Sequence, residues 1–245
     1  MSIFNIIQLG LILILFAFLI YYVWSIFFGK NYQPLVWKQK AKQNMISKEL
    51  IKLEGKYKDK DRFFNLWFQV ERLKESKIEG SFAELGVYKG DSAAVLHAMD
   101  PSREFHLFDT FEGFQQKDLE NETGKAATYT THNFADTSID RVKQKLTSNK
   151  FYFHQGYFPE TAKDIDNMVF ALVNMDVDLY NPTKAGLEYF YPLLSKGGVI
   201  IVHDYNPDWP GIMKAVDDFA STIPTPIVPL TDTDSSVMFF KPKGF

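Results

Sequence analysis

The chain has 245 residues, 46% of them hydrophobic, no cysteine, and a formal net charge of −3 from 27 basic and 30 acidic side chains. The slightly acidic balance gives no reason to expect a nucleic-acid partner, and the missing thiols exclude disulfides and thiolate chemistry.

The first thirty residues stand apart. From Leu9 to Phe28 the run is almost wholly apolar, broken only by Gly10 and Ser25, and a helix of that length spans roughly 30 Å of hydrocarbon. It reads as a transmembrane helix. A cleaved signal peptide is disfavoured because no Lys or Arg precedes the run, the run is long for an h-region, and no small-residue cleavage site follows it. Tyr21, Tyr22 and Trp24 sit toward its C-terminal end, where amphipathic aromatics favour the interface, and Lys30, Lys38, Lys40 and Lys42 follow on that side alone. The positive-inside rule then gives a single-pass cell-membrane protein with its N-terminus outside and its folded domain in the cytoplasm. The expected organisation is an anchor over 1–29, a basic juxtamembrane linker over 30–56, and one domain over 57–245. The linker can lie against anionic headgroups or be a solvated helix.

Residues 61–78 carry an amphipathic pattern, with Phe64, Leu66, Trp67, Phe68, Val70 and Leu73 on its apolar face. Strand-like segments follow at 81–85, 105–108, 151–154, 169–175 and 199–202, separated by helical stretches at 92–99, 138–146, 184–194 and 211–221. That alternation predicts an α/β, doubly wound, Rossmann-like and mostly parallel sheet. Residues 226–230 and 236–241, joined by a polar turn, predict a C-terminal antiparallel hairpin at one edge. The long polar segment 115–136 reads as a lid or as a disordered insertion. Trp37 and Trp209 read as exposed aromatics that an interface could use, and a homodimer is left open.

The chemistry gathers at strand ends. After the first strand comes Glu84-Leu85-Gly86-Val87-Tyr88-Lys89-Gly90-Asp91-Ser92, where Gly86 and Gly90 allow a sharp turn close to a ligand and the following helix offers free N–H groups. The loop lacks the three glycines of a dinucleotide fingerprint, so a nucleoside bearing an amino-acid tail fits better than a nicotinamide cofactor. Asp109, at the end of the second strand, is placed to accept ribose hydroxyls, or else to cap its own turn. Asp176-Val177-Asp178 follows the fourth strand and is answered by His203-Asp204 after the fifth. If strand geometry persists to Asp178, both its carboxylate and that of Asp176 share a face. A hard divalent cation with oxygen ligands is the usual stabiliser of such a cluster, while the competing reading is ordinary turn residues.

Five blocks, Phe82 through Gly90, Asp109-Thr110-Phe111-Glu112-Gly113, Gly156-Tyr157-Phe158-Pro159-Glu160-Thr161, Asp176-Val177-Asp178-Leu179-Tyr180-Asn181-Pro182-Thr183 and Gly197 through Tyr205, resemble in order the motifs of the TylF/MycF macrocin O-methyltransferase family. The resemblance covers about residue 80 onward and implies a class I methyltransferase fold using S-adenosylmethionine and magnesium, or another divalent ion, to methylate sugar hydroxyls. It implies that Glu84, Gly86 and Gly90 shape the methionine pocket and Asp109 holds the ribose, with Tyr88, Ser92, Thr110 and Gly156 also at the cofactor. Asp176 and Asp204 would hold the metal, with Asp178 as the candidate base. The family commonly has two adjacent aspartates where this chain has His203-Asp204; imidazole is a poor magnesium ligand, so His203 could leave the ion to the aspartates, act as a base, or point elsewhere. The anchor suggests a glycolipid or lipid-linked glycan acceptor. A non-catalytic membrane scaffold on the same fold is the alternative, and a nicotinamide-dependent oxidoreductase a more distant one.

Overall fold

Helix α1 (Ile3–Phe28) forms because nothing in it competes with the helix: it has no proline, no charge in either terminal turn, and almost continuous aliphatic and aromatic side chains. In this computed structural model, which describes residues 2–28, 32–165 and 167–242, its large apolar side chains from Ile3 to Trp24 are exposed. The stretch Ile3–Ser25 has a mean hydropathy of 2.7 and none of it is buried, so it is long and apolar enough to cross a membrane. Lys30, counted in the basic flank, and Gly29, the expected end of the anchor, lie outside the described residues, as do residues 243–245.

The chain divides into two compact units, Met1–Ile46 and Ser47–Phe245. The first also holds α2 (Leu35–Lys42), in which Trp37 is 1% exposed, against the expectation of an exposed aromatic. The second begins ahead of the expected boundary at 57. Its first helix, α3 (Lys48–Lys56), is capped by Ser47, whose hydroxyl accepts from Leu50 N at 3.1 Å, and it buries Leu50 and Glu54; Lys60 Nζ then pairs with Glu54 Oε1 at 2.9 Å. Burial of an apolar residue and a paired carboxylate makes α3 part of the fold rather than a solvated linker.

Asp59 caps α4 (Lys60–Glu75) by accepting from Arg62 N at 2.9 Å. Phe63, Phe64, Leu66, Trp67, Val70 and Leu73 form its buried face, each such side chain contributing on the order of 1.5–3 kcal/mol. Phe68, expected on that face, is 43% exposed. The α/β core follows as β1 (Ser81–Leu85), α5 (Asp91–Met99), β2 (Phe105–Asp109), α6 (Gln116–Leu119), α7 (Ile139–Lys145), β3 (Phe151–Gln155), β4 (Phe170–Met175), α8 (Tyr180–Leu193), β5 (Leu194–Val202), α9 (Pro210–Ala220), β6 (Val228–Pro229) and β7 (Val237–Phe240). Short 3₁₀ segments at Ala126–Thr128 and Glu160–Ile165 complete it.

The strands form one sheet in the order β3-β2-β1-β4-β5-β7-β6. The first five run parallel, β7 is antiparallel to β5, and β6 is antiparallel to β7. The expected parallel core with an edge hairpin is therefore the fold observed. Every residue of β1 and of β4 is buried, as in a sheet covered on both faces. Strand order reverses between β1 and β4, and register aligns Leu85 with Met175 and Met175 with Val202. The C-terminal ends of β1, β4 and β5 are thus level, and the residues after them open into one crevice at the switch point.

Candidate active site

That crevice is a cavity of about 420 Å³ whose lining runs from Gly86, Tyr88 and Asp109 on one side to Asp176, Asp178 and Asp204 on the other. The volume lies within the range of small-molecule sites. Arg62, Asp118, Lys125, Tyr129, Phe134 and Trp209 also line it.

On the first side the chemistry is satisfied. Asp109 Oδ2 accepts from Val87 N and Tyr88 N, both at 2.7 Å, and Oδ1 accepts from Phe111 N at 2.6 Å. The carboxylate therefore fixes the β1–α5 loop and caps its own turn, and its remaining lone-pair capacity faces a cavity it lines. Tyr88 adopts a left-handed φ of 50°, and its hydroxyl donates to Asp136 Oδ1 at 2.5 Å. Gly86, Tyr88, Ser92, Asp109, Thr110 and Gly156 all line the cavity; Glu84 and Gly90 do not. Gly90 serves its backbone instead: its φ of +71° lies in the left-handed region that favours glycine, and a Cβ there would also crowd the side chains of Val142 and Leu146. A Cβ at Gly86 would collide with the Asp176 carbonyl, so this glycine is needed for the close approach of two strand ends.

On the second side three carboxylates crowd together. Among the described residues, Asp176, Asp178 and Asp204 offer ligand atoms within 4.8 Å of one another. Strand geometry ends at Met175, so the shared-face argument does not hold; Asp178 and Asp204 instead turn inward through left-handed backbones, with φ of 61° and 63°. Such conformations are uncommon for non-glycine residues and mark a constrained site. Burial, then the charges of Asp176 and Asp204, push Asp178 well above the usual carboxylate range. Burial and Asp176 push Asp204 up to about 7, and burial raises Asp176 against the opposing pull of Arg62. An all-oxygen set with unresolved mutual repulsion fits a hard divalent cation.

Arg62, unmarked by any sequence motif, enters this cluster from α4. Its Nη1 lies 3.3 Å from Asp176 Oδ2, its Nη2 3.3 Å from Asp234 Oδ2 and 3.9 Å from Asp204 Oδ1, and its Nε 3.7 Å from Asp232 Oδ2.

His203 does not line the cavity. It is 2% exposed, with Nδ1 2.5 Å from Ser236 Oγ and Nε2 2.7 Å from Asn174 Oδ1. Asn174 Nδ2 lies 2.7 Å from Glu84 Oε1, and the Ser236 hydroxyl donates to Asp232. Glu84 on β1, Asn174 on β4, His203 just after β5 and Ser236 just before β7 thus form one buried polar chain. The expectation of His203 as a base is corrected: both ring nitrogens are engaged inside the sheet. Since the Ser236 proton goes to Asp232, His203 Nδ1 must donate to Ser236. Either a cationic His203 accompanies an ionised Glu84, or, with the Asn174 amide turned over, a neutral His203 accompanies a protonated Glu84. Burial works against charge on both groups, pushing His203 well below its ordinary value and Glu84 up to about 8. Glu84 Oε2 lacks a hydrogen bond of good geometry, although the Ser92 hydroxyl lies close enough to oppose that shift.

The segment 115–136 is pinned, not disordered. Asp118 accepts from Tyr157 Oη at 3.0 Å and Asn181 Nδ2 at 3.1 Å, Glu122 Oε1 accepts from Tyr180 N at 2.6 Å at the start of α8, and Lys125 N donates to Asp208 O at 2.8 Å. It carries Tyr129 and Phe134 to the cavity, where Phe114 stacks on Tyr129 at 5.3 Å and Tyr129 meets Trp209 at 5.5 Å. Trp209 is 5% exposed, so it belongs to the cavity wall and not to an open surface. His132 and Asn133 are not in that wall; Asn133 Oδ1 accepts from Thr130 N at 2.8 Å within the segment.

Comparison with known proteins matches residues 52–242 to the family model for macrocin O-methyltransferase, TylF. A Streptomyces olivaceus protein named 8-demethyl-8-(2,3-dimethoxy-alpha-L-rhamnosyl)-tetracenomycin-C 4'-O-methyltransferase is 27% identical over 170 residues, 64% of each chain. Mycinamicin III 3''-O-methyltransferase of Micromonospora griseorubida is 28% identical over 159 residues, 59% of this chain and 62% of its own. The chain spans less than two thirds of the length of these curated relatives. Among solved structures, the O-methyltransferase NovP superposes with a TM-score of 0.63 at 25% identity, covering 75% of this chain and 80% of its own. The calicheamicin methyltransferase CalS11 shares the fold, with a TM-score of 0.59 at 23% identity over 85% of this chain and 87% of its own.

Proposed function

The chain belongs to the macrocin O-methyltransferase (TylF) family, and on that footing we propose that it moves a methyl group from S-adenosylmethionine to a sugar hydroxyl, assisted by magnesium or another divalent ion, at a membrane to which α1 anchors it. The observation that carries this reading is the two-sided cavity, with a backbone-fixed Asp109 at one end and a carboxylate triad at the other.

In this reading the Gly86–Ser92 loop, Thr110 and Gly156 hold the cofactor, and Asp109 offers its free lone pairs to the ribose. Asp176, Asp178 and Asp204 supply the oxygens for a divalent ion, which would lower the acceptor hydroxyl's pKa and orient it. Phe114, Tyr129, Phe134 and Trp209 give the sugar ring apolar faces and keep water out. The acceptor oxygen forms a bond to the methyl carbon, the carbon–sulfur bond breaks with its electron pair going to sulfur, and the hydroxyl proton passes to Asp178. Asp178 takes that proton only when ionised, a state that cation binding to the cluster favours over the protonated one.

A bilayer-tethered enzyme gains most with an acceptor in the same bilayer, so a glycolipid or lipid-linked glycan on the cytoplasmic face is the proposed substrate class. The test incubates membranes containing the full-length protein with methyl-labelled S-adenosylmethionine, with magnesium or with chelator, and partitions the label. Magnesium-dependent label in the organic phase is expected; label confined to water-soluble glycans would overturn the lipid acceptor, and identical labelling with chelator would overturn metal assistance. Blank fractions from protein that still binds S-adenosylhomocysteine would favour a non-catalytic scaffold.

A further inference from the structure

Four aspartates from three separate loops surround one guanidinium, and two of them, Asp176 and Asp204, belong to the triad offered to the cation. The position of Arg62 is built. It lies in the first turn of α4, where its own backbone N–H is fixed by the Asp59 cap, and its side chain is 14% exposed. Asp232, the most buried partner, is 1% exposed and also accepts from Ser236, which ties the guanidinium to the buried polar chain. A guanidinium stays charged at any working pH, so this positive charge is permanent.

Resting on the metal-assisted reading above, we infer that Arg62 is a resident competitor for the carboxylate cluster and sets how tightly this protein holds its divalent ion. The guanidinium already offsets part of the charge on the Asp176 and Asp204 side of the triad. An ion entering there must displace part of the Arg62 contact or accept a positive neighbour a few ångströms away, and both weaken its binding. The outer partners, Asp232 and Asp234, give Arg62 a place to remain when Asp176 and Asp204 turn to the ion. The site is thereby suited to an exchangeable cation rather than a permanently bound one.

The test measures Mn²⁺ affinity by electron paramagnetic resonance on the full-length protein in detergent micelles, comparing wild type with Arg62→Gln, Arg62→Met and Arg62→Lys. S-adenosylhomocysteine binding serves as the control for a folded site. The neutral variants are expected to bind Mn²⁺ at least ~10-fold more tightly, and Arg62→Lys to stay within about threefold of wild type. A neutral variant that binds S-adenosylhomocysteine normally yet holds Mn²⁺ no more tightly overturns the inference while leaving metal assistance intact. If neither wild type nor folded neutral variants bind Mn²⁺, the metal-assisted reading itself fails, and the inference with it. A wild-type measurement covers loss of folding in the variants: the chain has four arginines, and with ¹³Cζ-arginine labelling bound Mn²⁺ should broaden the signal that Arg62→Lys removes. Four unbroadened signals at saturating Mn²⁺ would also overturn it.

Discussion

The two ends of the cavity are built on opposite principles. At the Asp109 end a carboxylate faces three backbone N–H donors at 2.6–2.7 Å, and the loop it holds is complete before any ligand arrives. At the Asp176 end three carboxylates face one another, and two of them, Asp176 and Asp204, share one arginine with Asp232 and Asp234, so the charges of the triad remain only partly compensated. A binding end can be preformed because its ligand brings little charge change. A reacting end must keep charge in reserve, since only interactions that improve during the reaction accelerate it.

The strongest way to break this contrast is Asp176→Asn. Methyl transfer is expected to fall at least ~10³-fold, with S-adenosylhomocysteine affinity changed less than about threefold, in a paired activity and calorimetry measurement. A large loss of cofactor affinity would mean that the two ends are one unit. Asp109→Ala attacks the other end: removing charge-assisted hydrogen bonds worth about 1.5–3 kcal/mol should weaken cofactor binding ~10–100-fold. Unchanged affinity would reduce Asp109 to a turn cap. His203→Gln separates chemistry from structure, with turnover expected within ~10-fold of wild type and stability lowered by about 1–3 kcal/mol in denaturant unfolding. Loss of turnover at unchanged stability would return His203 to the reacting end.

A further effect is a matter of pH. Burial places Glu84 at about 8 and Asp204 at about 7, both above the ordinary carboxylate range, so the folded protein retains protons that the unfolded chain releases. Their stabilising contribution is complete below the unfolded pKa values and is lost as pH rises through 7 and 8. Glu84→Gln keeps an amide partner for Asn174 and removes one titration. Its melting temperature should match wild type near pH 5 and exceed it increasingly toward pH 9, and equal pH slopes would mean that Glu84 does not titrate in the folded state.

Much of the fold was legible because period and punctuation agree: apolar runs, helical stretches and a polar turn at 231–235 give the parallel core and its edge hairpin. The acidic triad was legible because its members follow strands that lie side by side. Arg62 was not, since an arginine in an amphipathic helix looks like any solvated charge until α4 is docked beside the strand ends. His203 misled for a related reason. Its place in a motif speaks of the loop, whereas its direction is decided by Asn174 on β4 and Ser236 just ahead of β7. Segment 115–136 has no apolar period because backbone and side-chain bonds to Tyr180, Asn181 and Asp208, distant in sequence, hold it.

The ring of aspartates around Arg62 also bears on how the protein comes into being. Its members, at 62, 176, 204, 232 and 234, are brought together across more than half of the chain, and such distant pairings form late because long loops must close first. A partly synthesised chain lacking the β6–β7 turn would own the cofactor loop and Asp109 but not the finished cluster. Competence to bind the nucleoside should therefore precede competence to react, and stalled nascent chains ending near residue 220 should capture S-adenosylhomocysteine while transferring nothing.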